Sequence, residues 1–177
     1  MIISLCGFMG AGKSTVGKYL AQMLRYDFID LDQYIEQKYN MTINAFFAQK
    51  GEEAFRLEER DSLLEIVEKY YGKENLILAL GGGTVTREAC ASIVREKTYG
   101  LYLYCSKDEL VRRLKKRRES RPLLKDKSDE ELAEYVQGLM DAREEAYRSS
   151  SKCVISTQNG QLASVIDTIL AEVEFES

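Results

Sequence analysis

Short apolar runs alternate along the chain with longer segments in which apolar residues recur every three or four positions. Short runs of this kind are typical of buried β-strands, and the wider spacing is typical of helices that pack by one face. The pattern predicts strands at 2–6, 27–30, 76–80, 100–105 and 152–156. It predicts helices at 13–25, 34–47, 52–71, 86–96, from 106 onwards, from 128 to about 147, and at 160–174.

Two of these helices have further features. The second is expected to break near Asn40, with Thr42 as the N-cap of its second piece. In the third, we expect Leu57, Leu64 and Val67 to form the apolar positions, with glutamates on the outside.

The alternation of strands and helices predicts the fold class α/β. A parallel sheet covered by helices on both sides is the usual result of such an order. No repeat, low-complexity segment or linker divides the chain, so its 177 residues are expected to form one domain. The segment 116–127 is highly charged and contains the only proline, Pro122, which marks an excursion from the core.

Composition narrows the possible functions. A net charge of −4 argues against general nucleic-acid binding, and the absence of histidine removes the commonest general base and zinc ligand. Acid–base chemistry must therefore use carboxylates, lysine or tyrosine. The four cysteines form no C-x-x-C pair, so reduced core thiols of a cytoplasmic protein are expected. Neither a signal peptide nor a membrane-spanning run is recognisable, and a soluble protein is expected.

Residues 7–15, GFMGAGKST, fit the phosphate-binding pattern G-x-x-x-x-G-K-[ST] in full. They follow a predicted strand and open a predicted helix, as this motif requires. Its glycines let backbone N–H groups face a polyphosphate, which the positive helix end also attracts. Lys13 would reach the β- and γ-phosphates, and the Ser14 hydroxyl would bind Mg²⁺. The residues expected to bind a nucleotide here are Gly10, Ala11, Gly12, Lys13, Ser14 and Thr15.

Two aspartates stand one residue apart at the end of the second predicted strand. Side chains at i and i+2 of a strand point the same way, so Asp30 and Asp32 would lie together despite their repulsion. A metal ion and a transferring phosphate would offset that repulsion, and a strand-end aspartate is a usual Mg²⁺ partner of a phosphate loop. In the alternative interpretation, Asp32 is a helix N-cap and Asp30 is a solvent-facing acid.

Five stretches occur in a fixed order: GFMGAGKSTVGKYLA, FIDLDQYIE, FRLEE, LGGGTV and SRPLL. Together they resemble the shikimate kinase family, and the resemblance covers residues 3 to about 157. It implies a three-layer α/β/α sandwich with a central parallel five-stranded sheet, of the P-loop NTP hydrolase and nucleoside-monophosphate-kinase type, with a mobile lid. The implied reaction transfers the γ-phosphoryl group of ATP to the 3-hydroxyl of shikimate, on the way to chorismate and aromatic amino acids. It also implies ATP and Mg²⁺, and a monomer without nucleic-acid or membrane partners.

The resemblance implies a substrate site with two chemically different ends. Asp32 would accept hydrogen bonds from the substrate hydroxyls and receive the reacting proton, and Asp30 would hold Mg²⁺ through water. Arg56 and Arg143 would bind the carboxylate of shikimate, with Glu59 fixing the rotamer of Arg56. On spacing alone, Arg56 and Glu59 would be an ordinary surface pair. The glycines expected to contact the substrate are Gly81, Gly82 and Gly83.

The resemblance assigns the basic stretch at 112–124 to a lid over ATP. Arg121 would reach the phosphates and stabilise the transition state, and Arg113 is a second candidate for phosphate contact. Residues 115–118 are expected to be solvated. Read alone, the stretch would suggest nucleic acid or a solvated helix end. The implied division has a core at about 1–114 and 128–177, a lid at about 115–127 and a shikimate-binding helical segment at about 32–60.

Some alternatives stay open. The family often has an arginine near the adenine after the last strand, whereas this chain reads STQNGQ at 156–161, so backbone contacts from 157–160 would have to substitute. Related P-loop kinases for another polyol acid such as gluconate, or for a nucleoside monophosphate, share the phosphate loop and a lid. A catalytically silent P-loop subunit is a third interpretation, against which the intact phosphate-loop and lid residues argue.

Overall fold

Five strands form one sheet in a computed structural model that describes residues 1–121, 123–158, 161–173 and 175. The strands are β1 (Ile2–Cys6), β2 (Asp27–Asp30), β3 (Leu76–Ala79), β4 (Tyr99–Tyr104) and β5 (Cys153–Ser156). Their order across the sheet is β2-β3-β1-β4-β5, and every neighbouring pair is parallel. The predicted five-stranded parallel sheet is therefore confirmed, with β1 at its centre.

Burial explains why the central strands are apolar along their whole length. Every residue of β1 and β3 is buried, as expected for parallel strands covered on both faces. Ser4 is the polar exception in β1, and its hydroxyl is paired with that of Thr98 at 2.7 Å. Because parallel strands point the same way, the carboxyl ends of β1, β2 and β3 meet at one edge of the sheet.

Eight α-helices follow the strands within the described residues. They are α1 (Lys13–Leu24), α2 (Leu31–Tyr39), α3 (Ile43–Lys50), α4 (Glu52–Tyr70), α5 (Glu88–Lys97), α6 (Lys107–Lys116), α7 (Asp129–Ser149) and α8 (Leu162–Glu172). Short 3₁₀ turns lie at Thr84–Thr86 and Arg118–Ser120. Helix α1 contacts α8, and α4 contacts α5, so helices cover both faces of the sheet in the predicted three-layer arrangement.

The start of α2 corrects one predicted boundary. The pattern predicts a helix from residue 34, but α2 begins at Leu31 because the Asp30 side chain caps it, accepting a backbone N–H three residues on. Asn40 ends α2 in the left-handed conformation, with φ of 50°, and the Thr42 hydroxyl caps α3. The predicted break and the predicted cap are confirmed.

The buried face of α4 differs from the predicted one. Val67 is buried, but Leu57 and Leu64 are 55% and 40% exposed. The buried face includes two polar residues, Glu59 and Ser62. The predicted face was chosen from apolar residues alone. Because polar residues also face inward here, the predicted face lies towards the wrong side of the helix.

The remaining differences are small. The helix predicted at 86–96 is α5, preceded by a 3₁₀ turn, and the last helix starts at Leu162 in place of residue 160. Residues 160 and 174, the predicted ends of that helix, lie outside the described residues. None of the helices in the described ranges has the length and apolar character needed to cross a bilayer.

Candidate active site

Three segments converge at the carboxyl edge of the sheet: the phosphate loop after β1, the start of α2 after β2 and the glycines after β3. A cavity of about 620 Å³ opens between them. Ligand sites commonly lie at this edge of parallel sheets. The cavity is lined by every residue that the sequence predicts to bind the substrate, together with the predicted lid residue Arg121: Asp32, Arg56, Glu59, Gly81, Gly82, Gly83, Arg143 and Arg121.

The phosphate loop has a backbone conformation that glycine adopts readily. Gly10 and Gly12 have φ of 84° and 97°, in the left-handed region. The Lys13 Nζ donates to the carbonyl oxygens of Gly7 at 2.6 Å and Phe8 at 3.0 Å. Burial lowers the pKa of Lys13 to about 8, although nearby carboxylates offset part of this effect. Lys13 forms no ion pair among the described residues, and a phosphate group would give this partly buried ammonium an anionic partner.

Asp30 joins the phosphate loop to α2. The Ser14 Oγ donates to Asp30 Oδ2 at 2.5 Å, while Asp30 Oδ1 caps the helix. A hydroxyl and a carboxylate side by side are oxygen ligands of the kind that Mg²⁺ prefers. The interpretation of Asp32 as the N-cap is wrong, because Asp30 is the cap and Asp32 lies in the first turn of α2.

Asp32 has an unusual electrostatic environment for a carboxylate. Strand β2 ends at Asp30, so the two aspartates do not both extend from the strand as expected. Burial, together with the negative charges of Asp30 and Glu59, raises the pKa of Asp32 to about 6, and the charge of Lys13 partly opposes this rise. A carboxylate with such a pKa can accept a proton near neutral pH. The chain has no histidine that could do so instead.

A buried carboxylate orients Arg56. Glu59 is 1% exposed, and its two oxygens accept from Arg56 Nη1 and Thr84 Oγ1, each at 2.8 Å. The Arg56 Nε is buried without a hydrogen-bond partner among the described residues. Arg56 and Glu59 are therefore not a surface pair. The unsatisfied donor suits a ligand anion in the cavity.

The glycines after β3 leave room for the charged groups. A Cβ atom at Gly81 would lie 2.9 Å from Asp32 Oδ1, and one at Gly83 would lie 2.8 Å from Arg56 Nη2. At Gly82 the nearest atom would be Arg143 Nη1, at 3.4 Å. Side chains here would displace the groups that line the cavity, which accounts for three successive glycines.

Helix α7 supplies Arg143 and a residue that supports the glycines. One helical turn after Arg143, the Tyr147 hydroxyl donates to the carbonyl oxygen of Gly82 at 2.6 Å. Burial raises the pKa of Tyr147 to about 12, although the Arg143 charge partly opposes this. The two residues therefore link α7 to the loop after β3.

A second cavity, of about 320 Å³, lies beside the phosphate loop. Its walls include Gly10, Thr15 and Arg113. The Arg113 Nη2 donates to the carbonyl oxygen of Thr157 at 2.6 Å, and Nη1 donates to that of Gly10 at 3.3 Å. Arg113 thus brings a cation to the 156–161 region, which has none in its own sequence. Two of the backbone groups expected to contact adenine, 159 and 160, lie outside the described residues.

The residues after α6 lie near the junction of the cavities. Burial and the charge of Arg117 lower the pKa of Arg121, which lines the larger cavity. Arg117 lines both cavities, and Lys116 lines the smaller one. The expectation that residues 115–118 are only solvated is therefore incomplete. The other two cations of this run pair with Asp129 at the start of α7.

A family model described as shikimate kinase matches residues 9–174. The chain belongs to the shikimate kinase family. A shikimate kinase from Chlorobium phaeobacteroides is 35% identical over 177 residues, covering 97% of this chain and 90% of that protein. The crystal structure of a shikimate kinase from Bacteroides thetaiotaomicron has a TM-score of 0.89 and 31% identity, covering 98% of this chain and 99% of that one. A shikimate kinase from Acinetobacter baumannii in complex with shikimate has a TM-score of 0.84 and 33% identity, covering 96% and 90%.

Sequence reasoning missed three residues that line or support the site in this member of the shikimate kinase family. Thr84 directly follows the glycines, and Tyr147 stands one turn after Arg143, so both carried a local signal. Arg117 was hidden within a run of four cations. The apolar walls of the cavity include Phe47 and Phe55, and no sequence signal marks them, because aromatic residues at helical spacing are typical of an ordinary core.

Proposed function

We propose that the protein transfers the γ-phosphoryl group of ATP to the 3-hydroxyl of shikimate, a step in the synthesis of chorismate and the aromatic amino acids. The observation that carries the proposal is the polarity of the larger cavity. Arg56 and Arg143 flank the glycine loop, and Asp32 lies beside Lys13 of the phosphate loop. A ligand with a carboxylate and with hydroxyls matches both groups of residues.

The arginines bind the carboxylate. Glu59 accepts from one nitrogen of Arg56, and the Arg56 Nε makes no hydrogen bond among the described residues, with the Glu52 carboxylate 3.8 Å away. A guanidinium binds a carboxylate through two parallel hydrogen bonds, which fixes orientation as well as position. Gly81, Gly82 and Gly83 let the substrate approach the backbone, and the Gly82 N–H donates to it.

Asp32 binds the reacting hydroxyl and receives its proton. Its raised pKa matches that role, since a base works best when its pKa lies near the working pH. Phosphoryl transfer depends mainly on positioning and on charge stabilisation, so the orientation of the hydroxyl by Asp32 matters as much as proton removal.

The nucleotide occupies the phosphate loop and the smaller cavity. The loop residues Gly10 to Thr15 bind the phosphates, and Lys13 contacts the β- and γ-phosphates. Arg121 reaches the phosphates from the lid. Arg113 borders the smaller cavity and offers the flat face of its guanidinium to the base, because its nitrogens already donate to protein oxygens.

Ser14 and Asp30 are the residues that would hold Mg²⁺. Their oxygens lie 2.5 Å apart beside the phosphate loop, and Mg²⁺ bound with phosphates keeps several waters and few protein ligands. When bound, the ion would neutralise charge on the transferring phosphate.

The single domain has three functional parts. The core spans about 1–114 and 128–177, the substrate-binding helices span about 32–60, and a lid spans about 115–127. Lid closure excludes water, which would otherwise compete as the acceptor. The four free cysteines fit the reducing cytoplasm.

The experiment that tests this function measures ADP release from ATP and Mg²⁺ with four acceptors: shikimate, gluconate, AMP and none. Turnover is expected with shikimate alone. Turnover with gluconate or AMP would contradict the roles of Arg56 and Arg143 but not the kinase chemistry. Rapid release without any acceptor would contradict the lid.

A further inference from the structure

Arg117 occupies a position that no other residue of the basic run 115–118 shares. It lines the cavity assigned to the acceptor and also the cavity assigned to the nucleotide. Its backbone caps the end of α6, because its N–H donates to the Leu114 carbonyl oxygen at 3.1 Å. Helix α6 therefore delivers this guanidinium to the boundary between two binding sites.

The charge around Arg117 is unbalanced. Within the described residues, most arginines form ion pairs with carboxylates, but Arg25, Arg117, Arg121 and Arg143 form none, and the last three line the larger cavity. Arg117 lies close enough to Arg121 to lower the pKa of that group. Two cations that converge without a carboxylate are unfavourable until an anion arrives between them.

The neighbouring residue shows that this arrangement is specific. Arg118 turns to α7, where it pairs with Asp129, and it lines neither cavity. Two consecutive arginines thus differ in their surroundings. Arg118 ties the end of α6 to α7, whereas the Arg117 side chain has no hydrogen bond or ion pair among the described residues.

We propose that Arg117 is a catalytic residue that binds the terminal phosphate of the nucleoside triphosphate as it passes from the nucleotide cavity to the acceptor cavity. This proposal rests on the proposed function. In the transfer, the bond between the terminal phosphorus and the bridging oxygen breaks, and its electrons leave on ADP. A bond forms from phosphorus to the acceptor hydroxyl oxygen, whose proton passes to Asp32.

Negative charge on the peripheral oxygens of the transferring group needs donors throughout this passage. Arg121 approaches from the larger cavity, whereas Arg117 borders both, so the two guanidiniums can bind different oxygens of the same group. An arginine placed this way contributes chiefly in the transition state and little to the binding of ADP, which lacks the terminal phosphate.

The test compares Arg117→Gln with Arg118→Gln, which removes the same charge one residue later. With ATP and saturating shikimate, Arg117→Gln is expected to lower kcat by about 10²-fold, the size of loss seen when one transition-state donor is removed. Arg118→Gln is expected to change kcat by less than about threefold, because Arg118 lines neither cavity and its ion-pair partner Asp129 is exposed. Arg117→Lys should recover part of the loss, because it keeps the charge but not the fork of donors.

A second measurement is independent of shikimate. By calorimetric titration with Mg²⁺ present, Arg117→Gln should weaken binding of a non-hydrolysable ATP analogue by about tenfold or more and leave ADP binding within about twofold, since only the analogue carries the terminal phosphate. Equal losses in the two arginine variants, or unchanged affinity and turnover in Arg117→Gln, would overturn the proposal. If the unaltered protein fails to phosphorylate shikimate, the proposed function fails, while the titration still decides whether Arg117 binds the terminal phosphate.

Discussion

At the residue scale, the buried carboxylate of Glu59 links three parts of the site. It accepts from Arg56 on its own helix and from Thr84 after β3, and its charge helps to raise the pKa of Asp32. Each oxygen has a donor, so the burial of this charge is compensated. The carboxylate therefore sets both the position of the cation and the protonation of the proposed base.

Arg56→Ala should raise the KM for shikimate by about 10- to 100-fold, because a charge-assisted contact to the carboxylate is lost. The KM for ATP should change by less than about threefold. Steady-state kinetics with each substrate varied in turn would measure both. Arg60→Ala is the matched control, since Arg60 lies one turn further along α4 and pairs with Asp61 on the surface. Equal rises in both KM values would exclude a specific carboxylate contact.

Gly83→Ala should have a similar effect without removing any charge. The backbone φ of Gly83 is −106°, which alanine adopts easily, but the new Cβ would lie 2.8 Å from Arg56 Nη2 and push the guanidinium aside. The KM for shikimate should therefore rise while the melting temperature stays nearly constant.

The control for this substitution is Gly138→Ala in α7, where no atom lies within 4 Å of the added Cβ. That variant should gain about 0.5–1 kcal/mol in the free energy of unfolding, since alanine is favoured over glycine inside a helix. An unchanged KM for shikimate in Gly83→Ala would mean that Arg56 adapts without loss of binding.

The sequence predicted residue identities better than residue surroundings. Asp32, Arg56 and Glu59 were predicted from ordered motifs, and the structure brings them to one cavity. The cap at Asp30 was missed because strand alternation was applied one residue too far. The bond from Thr84 to Glu59 joins residues 25 positions apart, and no local pattern indicates such a contact.

At the element scale, α7 supports the substrate loop through Tyr147. Tyr147→Phe removes the hydroxyl that donates to the Gly82 carbonyl oxygen. The KM for shikimate should rise by about 3- to 10-fold, the value of one neutral hydrogen bond, with kcat nearly unchanged. Tyr135→Phe on the same helix is the control, since the Tyr135 hydroxyl has no hydrogen bond among the described residues. A loss of stability without any change in KM would make Tyr147 purely structural.

Helix α6 depends on Glu109 for its acid stability. Bonds from Arg112, and then from Arg113, lower the pKa of Glu109 to about 2, from an ordinary value of 4.5. A carboxylate with a lowered pKa stabilises the fold above its unfolded pKa, and the contribution disappears as the pH falls towards the folded pKa. The stability gap between the unaltered protein and Glu109→Gln should be full above about pH 5 and vanish near pH 2.

Urea unfolding at several pH values would measure this gap. Glu119→Gln is the control, because Glu119 forms no ion pair among the described residues. A gap that does not depend on pH would show that the glutamine variant loses packing and not charge.

Element boundaries were predictable where a cap stood at the expected place, as at Thr42. The inward face of α4 was not predictable, because Glu59 and Ser62 are buried, form hydrogen bonds there and interrupt the apolar period. Polar residues that serve a site are the usual reason why periodicity alone gives the wrong face.

At the scale of the whole molecule, the order β2-β3-β1-β4-β5 places the phosphate loop at the centre of the sheet, between the two cavities. The alternating pattern predicted the layers and the parallel strands, but the order of strands depends on contacts between distant segments. The same limit hid the role of Arg113, whose reach to Thr157 supplies the cation that the 156–161 sequence lacks.

Leu123 has a consequence for optical measurements. It is 64% exposed and lines the larger cavity, within the proposed lid. The chain contains no tryptophan, so Leu123→Trp would introduce a single indole whose emission can be excited apart from the tyrosines. An ATP analogue together with shikimate should shift that emission to shorter wavelength, as the indole leaves water, and either ligand alone should shift it less. An unshifted spectrum with both ligands bound would mean that position 123 stays in solvent while the site is full. One fluorescence titration would therefore follow lid closure in real time or rule out closure at position 123.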